Sequence, residues 1–507
     1  MNILEHKEIG TTMTTPIKKI VIAGGGTAGW MAAATISHHL GPVLDIRLIE
    51  SEEIGTVGVG EATVPPLQAF HKLLNIDEQE FMRATQGTFK LGINFENWGQ
   101  KGDQYIHSFG ITGKELWMAD FIHFWLKAKK LGSPTEYGDF CFELQAAKLG
   151  KFSITENPRT NYAYHFNASL YAKFLRKYSE VRGVKRTEGK IVEVATHSDN
   201  GFIKSVTLES GEVVDGDLFI DCTGFRGLLI EQTLHTGYED WSQWLLNDSA
   251  IASQTKNPGP ALPYTRAVAH QAGWQWHIPL QSRIGTGFVY CSKYISDEEA
   301  RKTFVDNLSG ELINEPFVLK FKTGRRLKSW NKNCVSFGLS SGFIEPLEST
   351  SIHLIMSSVL RFVRFFPSNG IKESNLAEYN EQTKNEIERI RDFVILHYKA
   401  TIRDDTPYWR YCRDMVVPDT LAHRIELFKE TAIAYKAEGE IFRLDSWSQV
   451  MIGQRIIPDA YHAYVDAMNH QDLCKYMEDF STEIKKRAKQ LPSHEDFVRA
   501  YCSEKDA

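Results

Sequence analysis

The sequence predicts an α/β fold organised on a Rossmann-like, nucleotide-binding sheet, and three observations predict it. The first is Lys18–Ala34, KKIVIAGGGTAGWMAAA: Ile20, Val21 and Ile22 form an apolar run of the buried-strand kind, Gly24, Gly26 and Gly29 give G-x-G-x-x-G, and an Ala-rich helical stretch follows. The second is a further strand, LDIRLIE, closing on Glu50, where an acid can accept from a ribose hydroxyl. The third is recurrence: residues 211–228 and 333–350 each run an apolar strand into a glycine turn, so widely separated segments return to one sheet.

Each element follows in order. In the glycine loop the first glycine allows a tight turn, the second lets backbone approach a pyrophosphate, and the third lets helix pack on strand, with unpaired N–H groups facing the phosphates. TVGVGEATVPPL (56–67) reads as a loop returning to the nucleotide, and 68–87 is helical in pattern. TFKLGINFENW then alternates Phe89, Leu91, Ile93 and Phe95 with Lys90, Gly92, Asn94 and Glu96, one strand with one buried face and Lys90 on the other. Residues 105–200 mix aromatic-rich loops with a helix near LYAKFLRKYSEV and two strands, KIVEVAT and FIKSVTLE, joined by a hairpin turn at HSDNG. A helix begins near Ser349, and from 370 the chain is mainly helical, with Ile387, Ile390, Phe393 and Val394 on one stripe.

These elements divide as a loose extension (1–17), a nucleotide-binding core (18–370) interleaved with substrate-binding segments (about 85–210 and 240–330), and a helical region (371–507) covering the substrate site. A net charge of −6 without a basic stripe argues against nucleic acid as a partner. No apolar run approaches the roughly 18 residues that span a bilayer, the leader lacks the apolar core of a signal peptide, and the seven scattered cysteines contain no C-x-x-C pair. A cytoplasmic, reduced protein without a zinc site is expected. Three separated segments on one sheet, with no second G-x-G-x-x-G of comparable quality, suit a flavoprotein whose electrons arrive from elsewhere.

At 273–279 the chain reads GWQWHIP, and Trp274, Trp276, Ile278 and Pro279 reproduce a Trp-x-Trp-x-Ile-Pro pattern. With it stand GGGTAGW (24–30), GVGEATVP (58–65), GTFK (87–90), IDCTGFRGLL (220–229), GLSSGFIEPLEST (338–350) and HYKATIRDDTPYW (397–409). In this order the motifs resemble the flavin-dependent halogenases of the tryptophan-halogenase family. The resemblance implies an FAD-binding sheet of the glutathione-reductase and monooxygenase type. It also implies FADH2 supplied by a separate flavin reductase, and a chemistry in which reduced FAD, oxygen and chloride or bromide yield hypohalous acid. That acid migrates inside the protein to a lysine beside an electron-rich arene, with the tryptophan pair separating the two pockets. A homodimer is left open.

Carried over position by position, the resemblance makes Lys90 the lysine that holds the electrophile and Glu348 the carboxylate that stabilises and deprotonates the cationic ring, with Glu345 its nearest rival. By alternation alone Lys90 is an ordinary solvated lysine, and Glu348 by position alone is a helix-capping acid. FAD is assigned to Gly24, Gly25, Gly26, Thr27, Ala28, Gly29, Glu50, Ser51, Glu61, Ala62 and Leu339. Halide falls to the backbone amides of Thr350 and Ser351, the latter a glycine in well-known relatives, and the arene to His107 and Phe109. The tyrosine pair and nearby glutamate with which free-tryptophan halogenases grip the amino acid are missing: ETAIAYKAEGEIFRLDSW offers only Tyr435 followed by Lys436. An indole other than free tryptophan is therefore expected. A flavin monooxygenase hydroxylating an aromatic, or a non-catalytic FAD-fold binding protein, are the competing readings.

Overall fold

The structure is a computed structural model and describes residues 15–53, 60–114, 118–157 and 159–503. The motif at 58–65 is thus described from Gly60 onward. The first strand, Lys19–Ala23, lies at the centre of a six-stranded sheet between Asp45–Glu50 and Leu218–Asp221, both parallel to it. Cys334–Ser336 extends the sheet beyond Leu218–Asp221, Lys185–Glu188 extends it beyond Asp45–Glu50, and the antiparallel Trp330–Asn331 closes one edge. The three returning segments therefore meet in one sheet, with Ile20 opposite both Leu218 and Ile46. The helix Thr27–Leu40 packs on it, and Ala168–Glu180 and Ser351–Arg364 pack in turn on that helix.

A seven-stranded sheet forms the second layer. Its order is Phe317–Lys320, Ser249–Lys256, Arg283–Tyr290, Gly273–Pro279, Thr265–Ala269, Gly92–Glu96 and Gln104–Ser108, antiparallel except between Thr265–Ala269 and Gly92–Glu96. Helices Glu373–Lys399 (in its second half), Pro407–Asp414, Asp419–Thr431 and Leu444–Gly453 share its core, whereas the last helix, His494–Cys502, packs on Glu78–Ala84 and Thr88–Lys90. In Glu373–Lys399 the stretch from Phe393 to Tyr398 is buried on every side, well beyond the apolar stripe of the sequence.

Between the layers sits a small sheet of Glu61–Ala62, Ala163–Phe166 and Thr88–Lys90. The alternation at 88–96 thus corresponds to two strands and not one. Thr88–Lys90 pairs with Ala163–Phe166, whereas Gly92–Glu96 pairs with the seven-stranded sheet. At Leu91 the chain changes sheets: its N–H donates to Pro263 O at 2.7 Å, and its carbonyl accepts from Phe109 N at 2.9 Å. Phe89 and Leu91 serve the core beneath the six-stranded sheet, while Ile93 and Phe95 serve the other large core. Both faces of the segment are covered, and Lys90 is fully buried, so the solvated lysine read from alternation is corrected. The rule of one wet face holds only where a sheet faces water.

Two further differences are local. Residues 68–87 form two helices, Pro66–Leu73 and Glu78–Ala84, parted by Asn75 in the left-handed region and by Asp77, which accepts from Glu80 N at 2.8 Å. The region of aromatic-rich loops contains helices Phe121–Lys130 and Phe142–Lys148, whose mostly buried side chains leave no polar stripe to betray a 3.6-residue period.

Gly24 has φ +105°, and a Cβ there would stand 2.3 Å from Cys222 O. Gly24→Ala is expected to destabilise the fold by about 1–3 kcal/mol through backbone strain alone, plus the clash. An unchanged denaturation midpoint would show that the contact between these strands is not tight.

Candidate active site

A cavity of about 1000 Å³ opens along the carboxyl ends of the six-stranded sheet, where ligands of open α/β sheets gather. Gly24–Ala28, Glu50, Ser51, Glu61, Ala62, Leu339 and Ser351 all contribute to its wall. The glycines there have separable reasons. A Cβ on Gly25 would overlap the Glu50 carboxylate, and one on Gly29 would stand 1.9 Å from Gly24 O, whereas a Cβ on Gly26 would meet nothing within 4 Å. Of these loop glycines Gly26 alone has room for a side chain, at the N-terminus of the helix Thr27–Leu40, whose first N–H groups have no acceptor within the helix. A volume of this size with a bare helix start fits FAD, and these residues would hold it by cradling its pyrophosphate. Glu50 accepts from Trp30 Nε1 at 3.1 Å and from Arg186 Nε, so its carboxylate is oriented as well as placed.

One wall of the cavity carries the tryptophan motif. Trp274 and Trp276 lie on one face of Gly273–Pro279 with ring centroids 6.0 Å apart, and Ile278 continues that face. Gly287 on the neighbouring strand leaves room for the Trp276 ring, which would stand 2.2 Å from a Cβ there. Trp274 Nε1 donates to Glu345 Oε2 at 2.9 Å, and Asn247 Nδ2 and Tyr398 Oη donate to the same oxygen. Burial pushes the Glu345 carboxyl up in spite of these donors. Glu345 is thereby committed to fastening the motif strand to Glu373–Lys399.

Pro346–Glu348 forms a single turn, and Ser349 follows in the left-handed region at φ 59° before the helix Ser351–Arg364 begins. That reversal separates two directions. Ser349 and Ser351 line the cavity, with Thr350 buried between them at the helix start. Glu348 points away from it, into contact with His107 and His397. Glu348 therefore caps nothing.

Lys90 meets this turn from the small sheet. Its Nζ donates to Ser349 Oγ at 2.7 Å and to Thr63 O at 3.0 Å, and lies 5.1 Å from the centre of the Phe109 ring. Burial draws the amine down to about 7, against the opposing pull of Glu348. The strand is held in place by its neighbours: Thr88 Oγ1 donates to Pro279 O at 2.7 Å and accepts from His165 Nδ1 at 3.1 Å.

The carboxylate of Glu348 is 1% exposed and flanked by two imidazoles. His107 Nδ1 lies 3.0 and 2.8 Å from its two oxygens. His397 Nε2 lies 2.8 Å from Oε1, close enough to pair though not aligned as a hydrogen bond. Burial pushes this carboxyl up, but His107 and His397 outweigh it and bring it down to about 2. Phe393, Phe442 and Trp447 complete an aromatic lining, with Phe393 against both His107 and Phe442.

Reading the sequence brought forward Lys90, Glu348, His107 and Phe109, which the structure gathers in one place. It passed over His397 and Ser349, although both lie inside quoted motifs. A histidine at the end of a helical stretch and a serine before a helix carry no chemical signal of their own. Among the described residues no group of three or more His, Cys, Asp or Glu could hold a metal ion, and no helix is long and apolar enough to cross a membrane.

Comparison with known proteins gives the family. The tryptophan halogenase family model matches residues 19–470. Tryptophan 6-halogenase SttH of Streptomyces toxytricini is 38% identical over 447 residues, 81% of this chain and 84% of that protein. Tryptophan 7-halogenase RebH of Lentzea aerocolonigenes is 35% identical over 487 residues, 88% and 91% of the two chains. The solved structure of Xcc4156, a flavin-dependent halogenase from Xanthomonas campestris, superposes with a TM-score of 0.95 at 50% identity, covering 97% of this chain and 99% of that one. The chain belongs to the tryptophan halogenase family and is an FADH2-dependent oxidoreductase of the halogenase class.

Proposed function

We propose that the protein halogenates an electron-rich aromatic of the indole type, other than free tryptophan, with bromide or chloride, oxygen and FADH2 from a separate reductase. The observation that carries this reading is the fully buried Lys90, hydrogen-bonded to Ser349 at the edge of the flavin-sized cavity and facing Phe109 on the other side. When bound, reduced FAD supplies hypohalous acid from oxygen and halide. The first-turn amides at Thr350 and Ser351 suit a halide at the cavity edge, since N–H groups at a helix start have no acceptor of their own. Lys90 receives hypohalous acid, holding it by hydrogen bond or as a haloamine, for which an amine near neutrality is suited. The negative charge of Glu348 stabilises the cationic ring that electrophilic attack creates. The Trp274–Trp276 wall keeps the arene from the flavin.

The region that would grip an amino acid supports the exclusion of free tryptophan. The Arg424 guanidinium lies 4.2 Å from the centre of the Tyr435 ring and pairs with Glu440 at 2.8 Å. Glu440 also accepts from Trp447 Nε1 at 3.2 Å and Ala437 N at 2.8 Å. Glu440, a buried acid of this region, is thus already paired with Arg424 and engaged by Trp447 and Ala437. Phe442 lies near the end of the irregular segment between helices Asp419–Thr431 and Leu444–Gly453, stacked on Phe393 with centroids 3.8 Å apart.

Incubation with a flavin reductase, FAD, bromide and a panel of indoles is expected to give brominated products by mass, with indole outcompeting free tryptophan. Products gaining oxygen instead would favour the monooxygenase reading, and FAD binding without turnover of any arene the binding-protein reading. Lys90→Ala is expected to keep FAD while losing at least about 100-fold in halogenation. Phe442→Ala is expected to admit larger indoles, read as relative kcat/KM across the panel. Lys90 also gives a test without turnover. With its amine at about 7 in the fold and an ordinary value of 10.5, the unfolded chain binds a proton that the folded chain lacks between those values. Stability relative to Lys90→Met should therefore rise as pH increases through that window. A pH-independent difference in denaturation midpoint would mean that the buried amine stays charged.

A further inference from the structure

One buried nitrogen beside the arene site has no task in the mechanism above. Both oxygens of Glu348 face His107 Nδ1, at 3.0 and 2.8 Å. An ionised carboxylate can only accept, so the proton of a neutral His107 ring sits on Nδ1 and leaves a lone pair on Nε2. His107 is 1% exposed, and Nε2 is buried with no partner. Buried polar atoms are seldom left bare, and one that is bare in a catalytic site points to a group not yet present. His107 and Phe109 alternate along the same stretch and so share a side, and the Lys90 amine lies over the Phe109 ring. His107 and the Lys90 amine are thus linked through Phe109 on one side of this stretch.

Glu348 is poorly placed to take a proton itself. Its oxygens are covered by His107 and by His397, whose Nδ1 is in turn tied to Phe393 O at 2.9 Å. A carboxylate on one imidazole nitrogen with the other nitrogen free is the arrangement that orients a histidine for proton transfer and stabilises the imidazolium it becomes. The family resemblance uses the face of His107 for stacking. Here Phe393 meets that ring edge-on at 5.5 Å, and Phe442 lies tilted at 6.2 Å.

We infer that His107 is the base of the aromatic step, taking through Nε2 the proton from the ring carbon that has just received halogen, with Glu348 as its orienting carboxylate. This rests on the halogenation reading. The carbon–halogen bond forms as the oxygen–halogen bond of hypohalous acid breaks, the electron pair leaving with oxygen as hydroxide. Hydroxide takes a proton from the Lys90 ammonium and becomes water. The carbon–hydrogen bond then breaks, its pair restores the aromatic ring, and its proton goes to Nε2. Arene and hypohalous acid become haloarene and water, and the proton gained by His107 equals the one lost by Lys90.

The test compares wild type with His107→Phe, which keeps an aromatic ring, in bromination of indole and ring-deuterated indole with reductase, FAD and bromide. The expected result is a loss of about 10²-fold or more in kcat, a primary deuterium isotope effect in the variant that the wild type lacks, and partial rescue of the rate by added imidazole. FAD retention and the melting transition report on folding. If the Phe variant does not fold, His107→Gln, which can donate to Glu348 but cannot carry a ring proton, is read by the same isotope effect. A variant rate within about twofold of wild type, or a slowed rate with no isotope effect, overturns the assignment. Wild type that brominates nothing in the indole panel overturns the underlying reading, an outcome distinct from the other two.

Discussion

A lysine amine buried with only neutral acceptors is the constraint on which the rest of this structure depends. Among the described residues Lys90 has no carboxylate within ion-pairing distance, and its bonds go to Thr63 O and Ser349 Oγ. Removing an unpaired ammonium from water costs more than two hydrogen bonds return, so burial brings the amine down to about 7, where ammonium and free amine are both within reach near neutral pH. Sustaining that requires complete enclosure, which no single sheet supplies. The small sheet carrying Lys90 is set between the six-stranded and seven-stranded sheets, and the change of sheet at Leu91 places the amine at their junction.

Enclosure alone would cut the amine off from the cavity. The turn at Pro346–Ser349 resolves this by facing two ways at once. Ser349, a non-glycine residue in the left-handed region, bears a conformational cost of about 1–3 kcal/mol. In return the helix start with Thr350 and Ser351 faces the cavity while Glu348 faces the histidines. Glu345, three residues before Glu348, fastens the same turn to Trp274 and so to the tryptophan wall of the cavity. Two acids in one short segment thus play different parts. Burial raises the one whose partners are neutral, and two imidazoles lower the other.

The glycine loop, the strand ending at Glu50 and the returning segments at 218–221 and 334–336 were legible because apolar strands next to glycine turns leave a local signature. Buried helices such as Phe121–Lys130 were not, since an element covered on all sides loses the polar stripe that reveals its period. Lys90 shows the same limit in reverse. Its alternation with Phe89 and Leu91 pointed to water, and only its place between two cores reversed that. His397 stood inside a quoted motif, yet its contact with Glu348 spans about 50 residues of sequence and no spacing rule reaches so far.

By itself, then, the sequence determined the nucleotide-binding sheet, the class of chemistry its motifs carry, and several of the side chains that meet around Lys90 and Glu348, because these are written in neighbouring positions. Tertiary structure alone decided the states of those residues. Whether Lys90 is an amine or an ammonium, whether Glu348 caps a helix or pairs with histidines, and which nitrogen of His107 is free all depend on groups brought together from distant parts of the chain. Desolvation and hydrogen bonding act through space, and only the fold specifies that space.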